Sequence, residues 1–154
     1  MITNPLEALL DELGKALDIP NLAPDDNETC LLRIQGNIHI QIELDKDERY
    51  LLVVTDFGEI PLGRYRQDLM ETALKMNNLP PPLHGVFAYS NKAGHFCMFE
   101  KLWFEGLNGE LLAETIEKFR EKATIWKEAI EHNEIPVISE ITTSDHVGIF
   151  GLKP

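Results

Sequence analysis

The first apolar positions of the chain repeat with the period of an α-helix. Asn4 and Pro5 open this segment, because an asparagine side chain can accept a hydrogen bond from a free backbone N–H and proline presets the helical φ. The leucines that follow lie on one stripe at helical spacing: Leu6, Leu9, Leu10, Leu13 and Leu17. The sequence therefore predicts an amphipathic first helix that ends before Pro20.

The pattern then changes to the period of a β-strand. Residues 38–44 alternate without a break between apolar side chains and the polar His39, Gln41 and Glu43, which predicts a half-buried strand. Apolar runs at 30–34 and 50–54, separated from it by polar turns, complete a three-stranded meander. The run at 50–54 is continuous, so we expect cover on both faces of that strand.

Helical spacing returns between Pro61 and Asn78, and the Pro80-Pro81-Pro82 connector ends that second helix. Two short strands at 86–89 and 96–102 flank a turn and form a hairpin. A long amphipathic helix from about Gly109 to His132 carries Trp126 on its apolar face. Its wide apolar face indicates contact with more than one element.

These elements follow the order αβββαββα. The sequence predicts a single α+β domain over residues 1–132, with helices packed on a twisted antiparallel sheet, and a loosely ordered C-terminal tail over residues 133–154.

The charge excludes several classes of partner. The chain has 26 acidic and 14 basic residues, a formal net charge of -12, and no concentrated basic patch. Such a chain repels phosphate backbones and anionic lipid surfaces, so we expect neither nucleic-acid binding nor membrane insertion. No export leader or apolar run of about 18 residues can be identified, which predicts a cytoplasmic protein.

The residue types that carry chemistry are scattered. The five histidines lie in unrelated strand, loop and helix-end positions, and Cys30 and Cys97 lack the spacing of a metal or redox pair. Weak calcium binding by the acidic turns around Asp25 and Asp45 stays open beside their ordinary role as solvated turns. We expect no catalytic residue, no metal site and no cofactor, and hence no enzyme.

Apolar side chains on both sides of several strands are the stronger clue to function. If the helices cover one face of the sheet, its other apolar face packs against a second copy of the chain, binds a ligand, or is part of an ordinary core. Spacing alone does not separate these alternatives.

The chain resembles the type III secretion chaperones of the Tir chaperone (CesT) family. The likeness covers roughly residues 5–132. It begins with residues 9–14 and 17–20, the first helix and the short loop into which it runs, and continues through the Asp/Asn-rich approach to the first strand at 25–32. It ends with the last hairpin and long closing helix, from Leu102 through Gly106 and Leu107 to Trp126.

The resemblance implies a non-enzymatic bacterial homodimer that binds the N-terminal segment of secreted effector proteins. Such a chaperone keeps its cargo extended, soluble and export-competent, and presents it to the secretion apparatus and the type III secretion ATPase. The alternative is an adaptor or regulatory protein of the same fold that binds a folded partner.

The resemblance also assigns surfaces. Cargo is expected against the first helix and the sheet, at Leu6, Leu10, Leu32, Ile34, Ile40 and Ile42. The dimer interface is expected on the second helix and its neighbouring strand, at Leu62, Tyr65, Leu69, Met70 and Ala73.

Overall fold

The computed structural model describes residues 4–138 and contains the predicted elements in the predicted order. The three helices are α1 (Pro5–Leu17), α2 (Arg64–Asn77) and α3 (Gly109–Glu131). The five strands are β1 (Thr29–Ile34), β2 (Ile38–Leu44), β3 (Tyr50–Gly58), β4 (Val86–Ser90) and β5 (His95–Trp103). The strands form one antiparallel sheet in the order β1-β2-β3-β5-β4, which confirms the α+β fold class.

Local sequence explains where the helices begin. The Asn4 side chain accepts a hydrogen bond from the Leu6 N–H at 2.9 Å, and the Asn108 side chain accepts one from the Leu111 N–H at 2.9 Å. Each bond satisfies one of the free N–H groups that every helix start leaves. The Glu12 carboxylate accepts a further bond from the Gly109 N–H at 2.9 Å, so α1 supplies part of the cap of α3.

The core lies between the helices and one face of the sheet. Trp126 of α3 is fully buried, and its ring centroid lies 4.0 Å from that of Phe87 and 6.0 Å from that of Phe96. This confirms α3 as an element that packs against several others. Leu10 and Leu13 of α1 are also fully buried in the same cluster.

Strand β3 is longer than predicted and is covered on one face within the protomer. Leu51, Val53 and Thr55 are buried, whereas Leu52 and Val54 are only half-buried on the other side. Within residues 4–138, the second face of β3 is therefore only partly covered, whereas the sequence predicted cover on both faces. The sequence pattern ended too early because the buried Thr55 is polar; its hydroxyl donates to the His39 carbonyl at 2.9 Å.

The connector after α2 is held by a buried lysine. Lys122 of α3 is 6% exposed, and its ammonium donates to the carbonyl oxygens of Leu83 at 2.9 Å and Gly85 at 2.6 Å. These bonds attach the segment between the prolines and β4 to the core.

Part of the predicted tail packs on the domain. The Tyr65 hydroxyl donates to the Glu134 carbonyl at 3.0 Å, and Ile135 and Ile138 pack against the core. The rest of the predicted tail, residues 139–154, lies outside the described residues.

Candidate functional site

The outer face of the sheet, opposite the helices, carries an apolar surface on β3, β5 and β4 that no other element of residues 4–138 covers. Its core-facing neighbours Val53, Phe96, Met98 and Phe87 are buried, so the alternate residues point outward. Register places Val54 opposite Phe99, and Phe99 opposite Val86. We call this surface the outer apolar stripe; its members are Leu52, Val54, Val86, Ala88, Cys97 and Phe99.

The outer face on β1 and β2 is mainly polar. Arg33, His39 and Gln41 are exposed there, together with Leu31, which is 51% exposed. The sheet therefore presents an apolar half and a polar half to the same side.

Helix α2 divides its apolar residues between the core and the surface. Leu69 is 0% and Ala73 is 3% exposed, so both belong to the monomer core. Met70 is half-buried, and Leu62 and Leu74 are exposed. Tyr65 is half-buried, and burial raises the pKa of its hydroxyl, with a smaller contribution from Glu134. Of the residues expected at the dimer interface, Leu62, two residues before α2, is exposed, and Tyr65 and Met70 keep part of their surface accessible.

The residues expected to touch cargo lie mostly in the core. Leu6, Leu10, Leu32, Ile40 and Ile42 are all between 0% and 3% exposed, and Ile34 is half-buried. In the described conformation, these side chains pack in the core and do not form part of the exposed surface. Their neighbours along the strands, Leu31, Arg33, His39 and Gln41, are the exposed side chains.

Within residues 4–138, the edge of the sheet at β1 has main-chain groups without a strand partner. Asp25 N–H donates to the Thr29 carbonyl at 2.8 Å, which shows that the main-chain groups of Thr29 point away from β2. Because these groups alternate in direction along an antiparallel strand, those of Leu31 and Arg33 also point outward. A strand could pair with the sheet at these two residues.

The acidic turn beside this edge is built for structure. The Asp25 carboxylate accepts bonds from the Thr29 N–H at 3.0 Å, the Thr29 hydroxyl at 3.0 Å and the Asn27 N–H at 2.9 Å. These hydrogen bonds, those from Thr29 above all, lower the pKa of Asp25. Asp25 thus orders the chain that enters β1.

A second feature that sequence reasoning missed is an exposed tryptophan. Trp103 is 53% exposed and its ring meets that of Tyr50 edge-on, with centroids 4.9 Å apart. It lines a cleft of about 550 Å³ between the start of α1 and the loop that follows β5. The sequence does contain a hint of this exposure. Side chains alternate between the two faces of a strand, and Trp103 lies two residues beyond Lys101 and four beyond Phe99, which both face outward. The cleft is lined by Pro5, Ala8, Leu9, Glu12, Glu48, Arg49, Trp103, Phe104, Glu105, Gly106 and Leu107.

Among residues 4–138, no three His, Cys, Asp or Glu side chains come together in a way that could hold a metal ion. Cys30 is buried and Cys97 half-buried, and burial raises the pKa of both thiols. Within the same part of the chain, no helix has the length and apolar character needed to cross a membrane.

Comparison with solved structures finds the same fold in several protein complexes. The SchA chaperone–effector complex with HopA1 matches with a TM-score of 0.64 and 22% identity, over 81% of this chain and 94% of that chain. The ExsC–ExsE complex matches with a TM-score of 0.62 and 16% identity, over 84% and 96%. The Yersinia pestis type III secretion chaperone SycH, in complex with a fragment of YscM2, matches with a TM-score of 0.58 and 17% identity, over 77% and 96%.

No curated protein matches the sequence. The model of the Tir chaperone protein (CesT) family matches residues 8–127, which is most of the chain and runs from α1 into α3. This confirms the resemblance drawn from the sequence: the chain belongs to the Tir chaperone protein (CesT) family.

Proposed function

We propose that the protein is a type III secretion chaperone that binds the N-terminal segment of one or more secreted effectors in the bacterial cytoplasm. The observation that carries the proposal is the uncovered edge of β1 beside the exposed Leu31, on a domain whose core is otherwise closed. An extended peptide that adds to a sheet edge gains affinity from main-chain hydrogen bonds, and pockets for alternate side chains add specificity. Strand addition therefore suits a cargo segment that has no fold of its own.

The cleft beside Trp103 gives the same cargo a second anchor. Exposed tryptophan and tyrosine side chains are common hot spots in protein interfaces, because they bury a large area with little loss of conformational entropy. Tyr50 and the Lys101 ammonium, which lies 3.9 Å from the Tyr50 ring centroid, support Trp103 from the side. In this proposal the cargo stays extended between the β1 edge and the cleft, without catalysis, and is then presented to the type III secretion ATPase.

The cargo proposal has a direct test at Arg33. The Arg33 N–H points away from β2, so Arg33→Pro removes an outward donor and leaves the β1–β2 hydrogen bonds in place. Arg33→Ala removes the side chain but keeps the N–H. We expect the wild type and Arg33→Ala to co-purify with the N-terminal segment of the secreted protein encoded in the adjacent reading frame, and Arg33→Pro to lose it.

Equal capture by the proline and alanine variants would contradict strand addition at β1. Failure of the wild type to bind this segment, or to keep it soluble during co-expression, would count against the chaperone function itself. Circular dichroism of the two variants checks that the sheet is intact.

We also propose that the outer apolar stripe is the core of a homodimer interface, together with the exposed Leu62, which precedes α2, and the half-buried Met70 of α2. An uncovered, contiguous apolar face on a small protein is typical of an interaction surface. A two-fold axis places the same patch of both copies in contact, so the stripe needs no second kind of surface.

Light scattering coupled to size exclusion tests the dimer. We expect Phe99→Glu to give the monomer mass, because the dimer would have to bury an unpaired carboxylate. His39→Glu places the same charge on the polar half of the same sheet face and should keep the dimer mass. A monomeric wild type at micromolar concentration, or a dimeric Phe99→Glu variant, would refute this interface.

A further inference from the structure

The two edges of the sheet are not equivalent. At β4, the edge opposite β1, the side-chain amide of Asn77 bonds to one strand residue twice. Its NH₂ group donates to the Phe87 carbonyl at 2.9 Å, and its carbonyl oxygen accepts from the Phe87 N–H at 2.8 Å. A primary amide has one acceptor and one donor in the same plane, as a peptide group does. Asn77 thus occupies the place that a residue of an added strand would take.

We propose that Asn77 closes the β4 edge, so that a strand from a partner can pair only with β1. The proposal rests on the proposed strand addition of cargo and names the residue that restricts it to one edge. By alternation from Phe87, the main-chain groups of Tyr89 also face outward on β4. Phe87 lies nearer the start of this five-residue strand, so closing it leaves too short a run of free groups for a stable pairing.

The position of Asn77 is fixed by its helix. It is the last residue of α2, and Ala73 and Met76 anchor the same end of the helix in the core. At the other end of α2, the Arg66 guanidinium lies 5.0 Å from the centroid of the Tyr89 ring. Helix α2 therefore runs beside β4, and Asn77 is held in register with Phe87.

A closed edge has a consequence for assembly. An exposed strand edge is a template for pairing with any other strand, and natural sheets cover or block such edges. With β4 closed, each protomer can accept one added strand, and two protomers cannot join edge to edge through β4. A strand can then be added to the sheet only at the β1 edge, where it would pair with Leu31 and Arg33.

Backbone amide NMR of the full chain tests the asymmetry with a synthetic, end-capped peptide of alternating threonine and valine, which offers a strand without a particular sequence. In the wild type, the peptide should shift the amide signals of Leu31 and Arg33 and leave those of Phe87 and Tyr89 in place. In Asn77→Ala, the Phe87 and Tyr89 signals should shift as well. In the absence of peptide, the Phe87 amide of this variant should exchange about tenfold faster, as expected for the loss of one hydrogen bond.

Asn78→Ala is the matched control, because Asn78 is exposed and directly follows the helix; it should give the wild-type pattern. The proposal is overturned if the peptide shifts Phe87 and Tyr89 in the wild type, if Asn77→Ala keeps the wild-type pattern, or if neither edge responds. Should Asn77→Ala not fold, the wild-type pattern still decides, and Asn77→Asp provides a variant that keeps the acceptor for the Phe87 N–H.

This test is independent of effector capture. A chain that captures the effector segment but shows no difference between its edges loses this inference and keeps the proposed function. A chain with the expected asymmetry that captures no effector segment loses the proposed function and keeps the edge assignment.

Discussion

The buried Lys122 makes the stability of the domain depend on pH in a direction that can be worked out from the structure. The residue is 6% exposed, and its ammonium lies among the carbonyls of Leu83 and Gly85 and the ring of Phe87. Burial lowers the pKa of Lys122 from 10.5 to about 8, against the opposing effect of Glu100. The charged form is therefore less favourable in the folded state than in the unfolded chain.

The sign follows from the protons bound in each state. Below pH 8 the lysine is protonated in both states, and above pH 10.5 it is neutral in both. Between these values the unfolded chain binds more protons than the folded protein, so the contribution of Lys122 to stability rises with pH. The change from 10.5 to about 8 corresponds to about 3 kcal/mol in the free energy of unfolding. The neutral amine still has two N–H donors for the two carbonyls.

The measurement is a difference between two proteins. Tyr65, Cys30 and Cys97 have raised pKa values, and their ionisation lowers the stability of the folded state over part of the same pH range. Urea unfolding of the wild type and of Lys122→Met, at one protein concentration and a series of pH values, removes this shared contribution. We expect the wild type to gain about 3 kcal/mol relative to Lys122→Met between pH 8 and pH 10.5.

A difference between the two proteins that stays constant or falls with pH would refute this account of the buried lysine. Lys118→Met removes an exposed lysine from the same helix and controls for the loss of one positive charge. Lys122→Met and Lys122→Leu are both uncharged but differ in shape. A difference in stability between them at lower pH would show an effect of shape, and a shared difference from the wild type would show an effect of charge.

Three further predictions concern packing and capping. Gly109→Ala places a Cβ 2.5 Å from the backbone carbon and Cβ of Glu12, so α1 and α3 must separate and thermal unfolding should show a loss of about 1–3 kcal/mol; an unchanged Tm would contradict this close approach. Leu69→Ala should cost about 2–5 kcal/mol in urea unfolding, because Leu69 is fully buried, whereas Leu74→Ala on the exposed side of the same helix should cost less than about 0.5 kcal/mol. Asn108→Ala should remove about 1 kcal/mol by loss of the α3 cap, measured by the same unfolding experiment.

Much of the fold could be predicted because its signals are local. Asn4 and Pro5 mark the start of α1 through bonds that involve the next residues, and the alternation in β2 specifies a strand without reference to its neighbours. The end of β3 could not be predicted in the same way. Its last buried position is Thr55, whose hydroxyl is satisfied by the His39 carbonyl of another strand, and that bond has no local signature.

The binding surfaces were less predictable than the fold, because the sequence of an apolar stripe does not show whether the core or a partner covers it. On α2, Leu69 and Ala73 were expected at the dimer interface, but they share a helical stripe that faces the core. The exposed Leu74 is not on that stripe. The role of Asn77 could not be predicted for a related reason. Its two hydrogen bonds join the last residue of α2 to Phe87, and the spacing of residues in the sequence does not show which strand a helix end will contact.

The number of covering elements explains why the outer apolar stripe stays open. A strand exposes two faces, and a sheet that is apolar on both faces needs cover on both. Two of the three helices, α1 and α3, contact each other extensively and pack in the core with the inner face, and α2 lies beside the β4 edge. Within the described residues no helix is left for Val54 and Phe99. The six members of the stripe are uncharged, and the charged side chains that lie beside them in register are Glu43 and Lys101 next to Leu52 and Asp56 next to Cys97. Repulsion between the remaining charges falls off over about 8 Å at physiological ionic strength. A neutral stripe on an acidic protein thus reconciles solubility with self-association through a single face.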